Sequence, residues 1–223
     1  MIEYQIKYSS RKTLNITVER DRSVVVHAPN GFSEEKIGKV ILSKQDWINS
    51  KISNSKKYSQ IPQRKEFVNG ESLLFLGKLY NLTISAEDFD GIIFDNGFFI
   101  SEKNQKQANG YFKNWYKEQA LLTITKLSKL YAEKLGVKYN QLKLTDMKYR
   151  WGSCSPKGNI NINWRIIKAP LFVIEYLVVH ELSHLLEANH SDKFWNMVSI
   201  QVPQYESAKD WLRNNGGLLE IDF

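Results

Sequence analysis

Three of the four histidines in this chain fall within eleven positions, between residues 180 and 190. His180 and His184 are four residues apart, so on an α-helix both imidazoles leave the same face, one turn apart. Both can then reach one metal ion, at about 2.0–2.1 Å per Zn–N bond. Glu181 completes the pattern H-E-x-x-H, in which the carboxylate accepts a proton from metal-activated water. The segment predicts a metal site, with Zn²⁺ expected and another divalent metal as the alternative.

A catalytic zinc site also needs a third protein ligand and one open position. His190 lies six residues after His184 and directly before Ser191, the predicted N-cap of the next helix. The chain must turn back between them, and Asn189 suits a left-handed turn position. Glu206, on a later predicted helix, is the alternative ligand. We expect His190, because the short connection limits its distance from the metal.

The reaction predicted for such a site is hydrolysis by activated water, with Glu181 as the general base. A further group should stabilise the oxyanion that develops during the attack. Arg150, just before the segment WGSCS, is the first candidate. Arg165 and Tyr205 are weaker candidates for contacts with substrate.

The segment NININW, residues 159–164, predicts a strand with its apolar side chains on one face and its asparagines on the other. In zincin-like folds, which the H-E-x-x-H pattern resembles, the strand before the active-site helix often forms the sheet edge over the cleft, and an extended peptide could then pair with it. Asn161 and Asn163 are therefore candidate substrate-binding residues. The alternative is that the asparagines face solvent.

Four other reactive or aromatic residues are expected to be structural: His27, Trp151, Cys154 and Trp195. Cys154 is the only cysteine, so the chain has no internal disulfide and no second sulfur ligand for a metal.

The balance of 31 basic against 24 acidic residues gives a net charge of +7, which favours polyanionic partners such as nucleic acid. The charges are spread along the chain, so an ordinary basic surface is the alternative. One basic group brackets the histidine segment in sequence and leaves a nucleotide substrate open, because phosphates require charge-assisted hydrogen bonds. It comprises Lys143, Lys148, Arg150, Lys157, Arg165 and Lys168. No Gly-rich phosphate loop accompanies it.

Apolar runs in this chain are far shorter than the ~20 residues that span a bilayer, and the N-terminus has no apolar signal region. We therefore expect a cytoplasmic protein that does not insert into membranes.

The remaining patterns predict two domains, a β-rich N-terminal module with one helix at 1–102 and a second domain at 103–223. Alternation in residues 13–29 indicates a β-hairpin, and Ser33 is the predicted N-cap of the module's helix. A long helix is predicted from Tyr111 to Leu135, ended by Gly136. Its expected apolar stripe is Phe112, Trp115, Leu122, Leu127, Leu130 and Tyr131.

The segments RWGSCSPKGNININWRIIKAP and VIEYLVVHELSHLLEANHSDKFW together resemble the YgjP-like metallopeptidase family, relatives of the SprT-like and WLM zinc proteases. The resemblance runs from about Tyr149 to Trp195. It implies an α+β fold with a zincin-like catalytic domain, in which the H-E-x-x-H helix packs under a small sheet. It also implies the three histidines as zinc ligands and Glu181 as the general base.

Three functions follow as hypotheses. The first is a zinc-dependent peptidase acting on polypeptides. The second is a metal-dependent nucleoside triphosphate pyrophosphatase acting on UTP, an activity described for some members of the family. The third is a non-catalytic, metal-stabilised nucleic-acid-binding protein, which the presence of only three plausible ligands disfavours.

Overall fold

The computed structural model describes residues 2–18, 23–52, 65–147 and 150–220. It has mixed helices and sheets, so the α+β class is confirmed. Contacts divide the chain into two compact units, 1–63 and 64–223. Within the described ranges, no helix combines the length and apolar character needed to cross a membrane.

The first unit contains a three-stranded sheet built from β1 (Tyr4–Ser9), β2 (Asn15–Val18) and β3 (Val24–Pro29). The central strand, β3, runs parallel to β1 and antiparallel to β2. The predicted hairpin is therefore confirmed as β2 and β3, and its turn lies outside the described residues.

Two helices follow in this unit, α1 (Glu34–Ser43) and α2 (Gln45–Ile52), where the sequence predicts one. Ser33 caps α1 as expected, since its Oγ accepts a hydrogen bond from the backbone N–H of Lys36 at 3.4 Å. Lys44 leaves the helical conformation at φ −110° and separates the two. The apolar spacing continues across this break, because isoleucines of both helices are buried in the same cluster as β3.

The second unit begins with a four-stranded sheet in the order β4-β5-β7-β6. Its strands are β4 (Ser72–Phe75), β5 (Lys78–Ser85), β6 (Ile92–Phe94) and β7 (Phe98–Ser101). After a 3-10 turn, the long helix α3 runs over Ala108–Leu135, and Gly136 ends it at φ 66°, as predicted.

The apolar stripe of α3 differs in part from the prediction. Phe112, Leu127 and Tyr131 are buried, but Leu122 and Leu130 are exposed, and Tyr116 is completely buried in their place. The hydroxyl of Tyr116 donates a hydrogen bond to the carbonyl of Leu74 at 2.8 Å. This bond satisfies the hydroxyl group and allows the tyrosine to be buried.

Strands β4 to β7 share one hydrophobic core with α3 and with everything that follows it. The compact units consequently divide at 63/64, whereas the sequence analysis placed a boundary at 102/103. The polar segment near 102 is a short connection inside one core.

A second sheet has the order β8-β10-β9 and is made of β8 (Gln141–Thr145), β9 (Gly152–Cys154) and β10 (Asn159–Asn163). β10 is central, parallel to β8 and antiparallel to β9. The prediction that NININW forms a sheet edge is therefore wrong. The short strand β9, which has no alternating pattern, lies at the edge instead.

The remaining helices are α4 (Leu171–Ser183), α5 (Asp192–Gln201) and α6 (Tyr205–Asn215), with 3-10 turns before α4 and after α6. Two sets of hydrogen bonds hold the segment that leads into α4. The backbone N–H groups of Leu76 and Gly77, in the β4–β5 turn, donate to the carbonyls of Ile167 and Lys168 at 3.0 and 2.9 Å. The buried ammonium of Lys168 donates to the carbonyl of Leu219 at 3.2 Å.

Gly77 is required at this contact for two reasons. Its φ is +80°, and an added Cβ would lie 2.9 Å from Cα of Pro170, the residue before α4. We expect Gly77→Ala to destabilise the protein by about 1–2 kcal/mol through the left-handed backbone and about 1–3 kcal/mol more through overpacking. Gly70→Ala is the matched control, because Gly70 has φ +85° and open space around it. Denaturant unfolding of both variants tests this, and equal losses would contradict the packing contribution.

Candidate metal centre

The three predicted imidazoles converge. One nitrogen from each of His180, His184 and His190 lies within 4.8 Å of the others. The ring centroids are 4.9, 4.8 and 4.8 Å apart, and Nε2 of His190 is 3.0 Å from Nε2 of His180. Two ligands of a tetrahedral zinc ion lie about 3.3 Å apart at ordinary Zn–N distances. The separation therefore fits two donors of one ion.

The other nitrogen of two of these rings has a polar neighbour. Nδ1 of His184 lies 3.1 Å from the carbonyl oxygen of Glu187, which can only accept, so Nδ1 carries the proton and Nε2 presents a lone pair. Nδ1 of His180 lies 3.4 Å from the hydroxyl of Tyr176. Such partners fix the tautomer and ring orientation of metal-ligating histidines.

Helix ends place the three residues. α4 ends at Ser183, and His184 is its C-cap, still in the right-handed conformation. The chain turns before Ser191, whose Oγ caps α5 by accepting from the N–H of Phe194 at 3.3 Å, as predicted. Asn189 is not among the described residues with positive φ, so the predicted left-handed turn at that position is wrong.

Phe194 forms an apolar floor under the cluster. Its fully buried ring lies 5.0 Å from the ring of His180, 4.7 Å from that of His184 and 4.8 Å from that of His190, between centroids. One residue of α5 therefore contacts all three imidazoles and closes one side of the site to water.

Glu181 is buried beside the edge strand β9. A Cβ at Gly152 would come within 2.8 Å of both Cγ and Cδ of Glu181, so only glycine permits this approach. Burial raises the pKa of Glu181 to about 7, although the positive charge of Arg150 opposes the shift. A carboxyl group with such a pKa can both accept and return a proton near neutral pH.

Burial also keeps His180 neutral. Burial is the largest cause, and together with the positive charges of His184, His190 and Lys209 it lowers the pKa of His180 to about 3. A neutral imidazole is the form that binds a metal. The donor set, its tautomers and its spacing thus fit a divalent cation.

Comparison with known protein families agrees with this geometry. The model of the YgjP-like, metallopeptidase domain family matches residues 12–215, nearly the whole chain. The chain belongs to the YgjP-like family. No curated protein and no solved structure matched the chain. Membership of this family supports a metal-dependent hydrolase. The family match also extends well beyond the segment from Tyr149 to Trp195 in which the sequence analysis found the resemblance.

Several residues proposed as substrate contacts have partners within the fold. Arg165 is buried and paired with Asp146. The amide of Asn163, also buried, donates to the carbonyl of Met147 at 2.7 Å, and that of Asn161 donates to Oγ of Ser153 at 3.2 Å. These groups stabilise the sheet and the turn after it.

The basic residues that bracket the histidine segment in sequence do not form one exposed patch. Lys168 and Arg165 are buried, whereas Lys143 and Lys157 are exposed. Lys148 lies outside the described residues. Arg150 is exposed and is the member that acts electrostatically on Glu181.

The other predicted residues lie as follows. Trp151 and Trp195 pack against the core, as expected. Cys154 is partly buried on β9, and burial together with the charge of Glu181 raises the pKa of its thiol. His27 is on β3 of the first unit.

The wall beside His190 was only partly predicted. Tyr205 begins α6 and stacks on Trp195, with ring centroids 5.4 Å apart. Glu206 pairs with Lys209 at 3.0 Å, which lowers the pKa of the carboxyl group. The geometry therefore favours His190 over Glu206 as third ligand. Sequence reasoning missed Lys209, because nothing local marks a lysine on α6 as a neighbour of the histidines.

The two shifted pKa values predict opposite effects of pH on the metal-free protein. The folded-state pKa of His180 is lowered to about 3, so its contribution to stability is lost as pH falls below the unfolded value of 6.5. The folded-state pKa of Glu181 is raised to about 7, so its contribution is lost as pH rises above the unfolded value of 4.5. Between pH 4.5 and 6.5 the two slopes oppose each other.

We therefore expect Glu181→Gln to remove the opposing contribution of Glu181 and leave the pH dependence of the free energy of unfolding that is due to His180. Relative to the wild type, the free energy of unfolding of the variant should fall by up to about 1.4 kcal/mol per pH unit on acidification from pH 6.5 to 5. Denaturant unfolding in chelator at several pH values measures it. Parallel curves for the two proteins would contradict a raised pKa for Glu181.

Proposed function

We propose that this protein is a zinc-dependent peptidase that hydrolyses polypeptides with water, with His180, His184 and His190 as metal ligands and Glu181 as the general base. The convergence of three imidazoles beside a buried carboxyl group, in a chain of the YgjP-like family, carries the proposal. The proposal includes a zincin-like fold for the catalytic unit.

The edge strand favours a polypeptide as substrate. β9 lies at the edge of its sheet, and Gly152 at its start approaches Glu181 closely. An extended peptide that pairs with an edge strand presents its backbone carbonyls at regular intervals along the strand. Such pairing at β9 would bring a scissile bond to the carboxyl group.

Each residue has a defined task in this mechanism. A divalent metal at the three imidazoles would supply acidification of water and polarisation of the substrate carbonyl. Glu181 accepts the proton of the attacking water and returns it to the leaving amine. Burial of Glu181 against β9 keeps bulk water from screening the charge that its carboxyl group gains during the reaction.

Two cations act on the site, but Lys209 is paired with Glu206. Arg150 acts electrostatically on Glu181, and Lys209 acts on His180 and His190. They approach the cluster from different segments, one before β9 and the other on α6. Arg150 remains the first candidate for stabilising the oxyanion, because its charge acts on Glu181 itself.

A nucleotide substrate has less support. Phosphates require several cations directed at one site. Arg165 is instead paired with Asp146, and Lys168 donates to the carbonyl of Leu219. Only part of the basic group is then left to hold a triphosphate.

Glu181→Gln should abolish peptide hydrolysis while leaving metal binding intact. Loss of a general base lowers rate by about 10²–10⁴-fold. The zinc-loaded protein, this variant and the matched control Glu175→Gln, on the same helix, are incubated with unfolded casein and separately with UTP. We expect cleavage of casein by the wild type and the control alone.

Each other outcome has a defined meaning. Hydrolysis of UTP alone, lost in Glu181→Gln, would replace the peptidase with the pyrophosphatase. Full activity in Glu181→Gln would exclude Glu181 as the base. Metal binding without hydrolysis of either substrate would contradict both enzymatic functions.

Gly152→Ala tests the placement of the carboxyl group. The added Cβ would displace Glu181, and a shift of about 1 Å in a catalytic group costs about 10²-fold in rate. We expect kcat to fall by about this factor with zinc affinity unchanged. Ser153→Ala, on the opposite face of β9, is the control. Equal kcat values in both variants would show that catalysis does not depend on the close contact between Gly152 and Glu181.

A further inference from the structure

His190 is the least restrained of the three imidazoles. It is exposed and lies between α4 and α5. Among the described residues, the polar neighbour of its ring is Nε2 of His180, and no group is bonded to Nδ1. His180 and His184 each have such a group, from Tyr176 and Glu187. Unlike the other two rings, the third ring is therefore not oriented by a hydrogen bond at Nδ1.

An aromatic stack adjoins His190 instead. The rings of His190 and Trp195 are 5.5 Å apart and inclined by 22°, and those of Trp195 and Tyr205 are 5.4 Å apart and inclined by 22°. The ammonium of Lys209 lies 4.3 Å from the centre of the Trp195 ring and 5.5 Å from that of Tyr205. Glu206 pairs with this ammonium at 3.0 Å.

We propose that Trp195 is a positioning residue, which holds His190 in its metal-binding orientation through ring stacking. Tyr205 and Lys209, both on α6, fix the indole in turn. The proposal rests on the proposed function only in that His190 must be a metal ligand.

The geometry singles out Trp195 among the neighbouring rings. Phe194 contacts all three imidazoles and so cannot act on one alone. Among the histidines, Trp195 is nearly parallel to His190, whereas its ring is inclined by 57° to that of His180, at 5.9 Å. His180 is already held by its position on α4 and by Tyr176.

The stack should increase metal affinity by preorganisation. A histidine in a connecting segment can adopt several side-chain conformers, and ordering it on metal binding costs free energy. A flat indole against the imidazole restricts the plane of the ring before the metal arrives. Loss of groups that orient a ligand typically lowers metal affinity by about 10–100-fold.

A double-mutant cycle on the full chain tests the proposal. Zn²⁺ affinity is measured by competition with a chelator for the wild type, Trp195→Ala, His190→Ala and the double variant. We expect Trp195→Ala to weaken binding about tenfold in the wild type and to have no further effect in the His190→Ala background. Trp195→Phe, which keeps a flat ring, should restore most of the loss.

Two controls separate positioning from general destabilisation. Trp211→Ala removes the same side chain from α6, where no described ring contact joins it to a histidine, and should leave Zn²⁺ affinity unchanged. Thermal unfolding of the metal-free variants reports any loss of fold. The absorption of bound Co²⁺ should stay close to that of the wild type in Trp195→Ala, which keeps the third imidazole as a ligand, and should change in His190→Ala, which loses it.

The outcomes also distinguish this proposal from the proposed function. If the wild type and the controls bind Zn²⁺ and hydrolyse casein, but Trp195→Ala binds as tightly, the positioning role is overturned and the peptidase stands. An equal loss from Trp195→Ala with and without His190 would also overturn it. If His190→Ala binds as tightly as the wild type, His190 is not a ligand and the positioning role fails with it. Absence of any Zn²⁺ binding by the wild type would instead overturn the proposed function.

Discussion

Burial of ionisable groups on α4 is the constraint around which the catalytic unit is built. Moving a charge out of water is costly, so burial on this helix favours the neutral forms of His180 and Glu181. The same burial supplies both states that hydrolysis needs, an imidazole with a free lone pair and a carboxyl group that titrates near neutrality. Stability and reactivity are therefore opposed at these positions, and the surrounding packing must offset the cost.

That packing comes from every layer of the second unit. The β4–β5 turn and the C-terminal 3-10 turn hold the segment before α4, the edge strand β9 confines Glu181, and α5 covers the imidazoles with Phe194. Apart from the contact of Phe194 with His190, these contacts join residues ten or more positions apart in sequence. The site is consequently a property of the whole core, which explains why strands β4 to β7 cannot be separated from the helices that follow.

Sequence patterns were sufficient where the determining interaction is local. Ser33, Ser191 and Gly136 mark helix ends through hydrogen bonds or backbone conformations that involve only their neighbours, and the spacing of His180 and His184 fixes their common face. Patterns failed where tertiary contacts decide. The three residues of β9 are too few to show alternation. Its partner strand, β10, follows only after a turn. The role of Trp195 beside His190 depends on α6, which lies further along the chain.

The shared contact of one phenyl ring with three imidazoles has a consequence for ion preference. Because the ring of Phe194 touches each donor, a change in its volume would move all three together and alter the radius of the cavity that they enclose. At the proposed metal site, selectivity between cations of different size can thus be altered by an apolar side chain that is not itself a ligand.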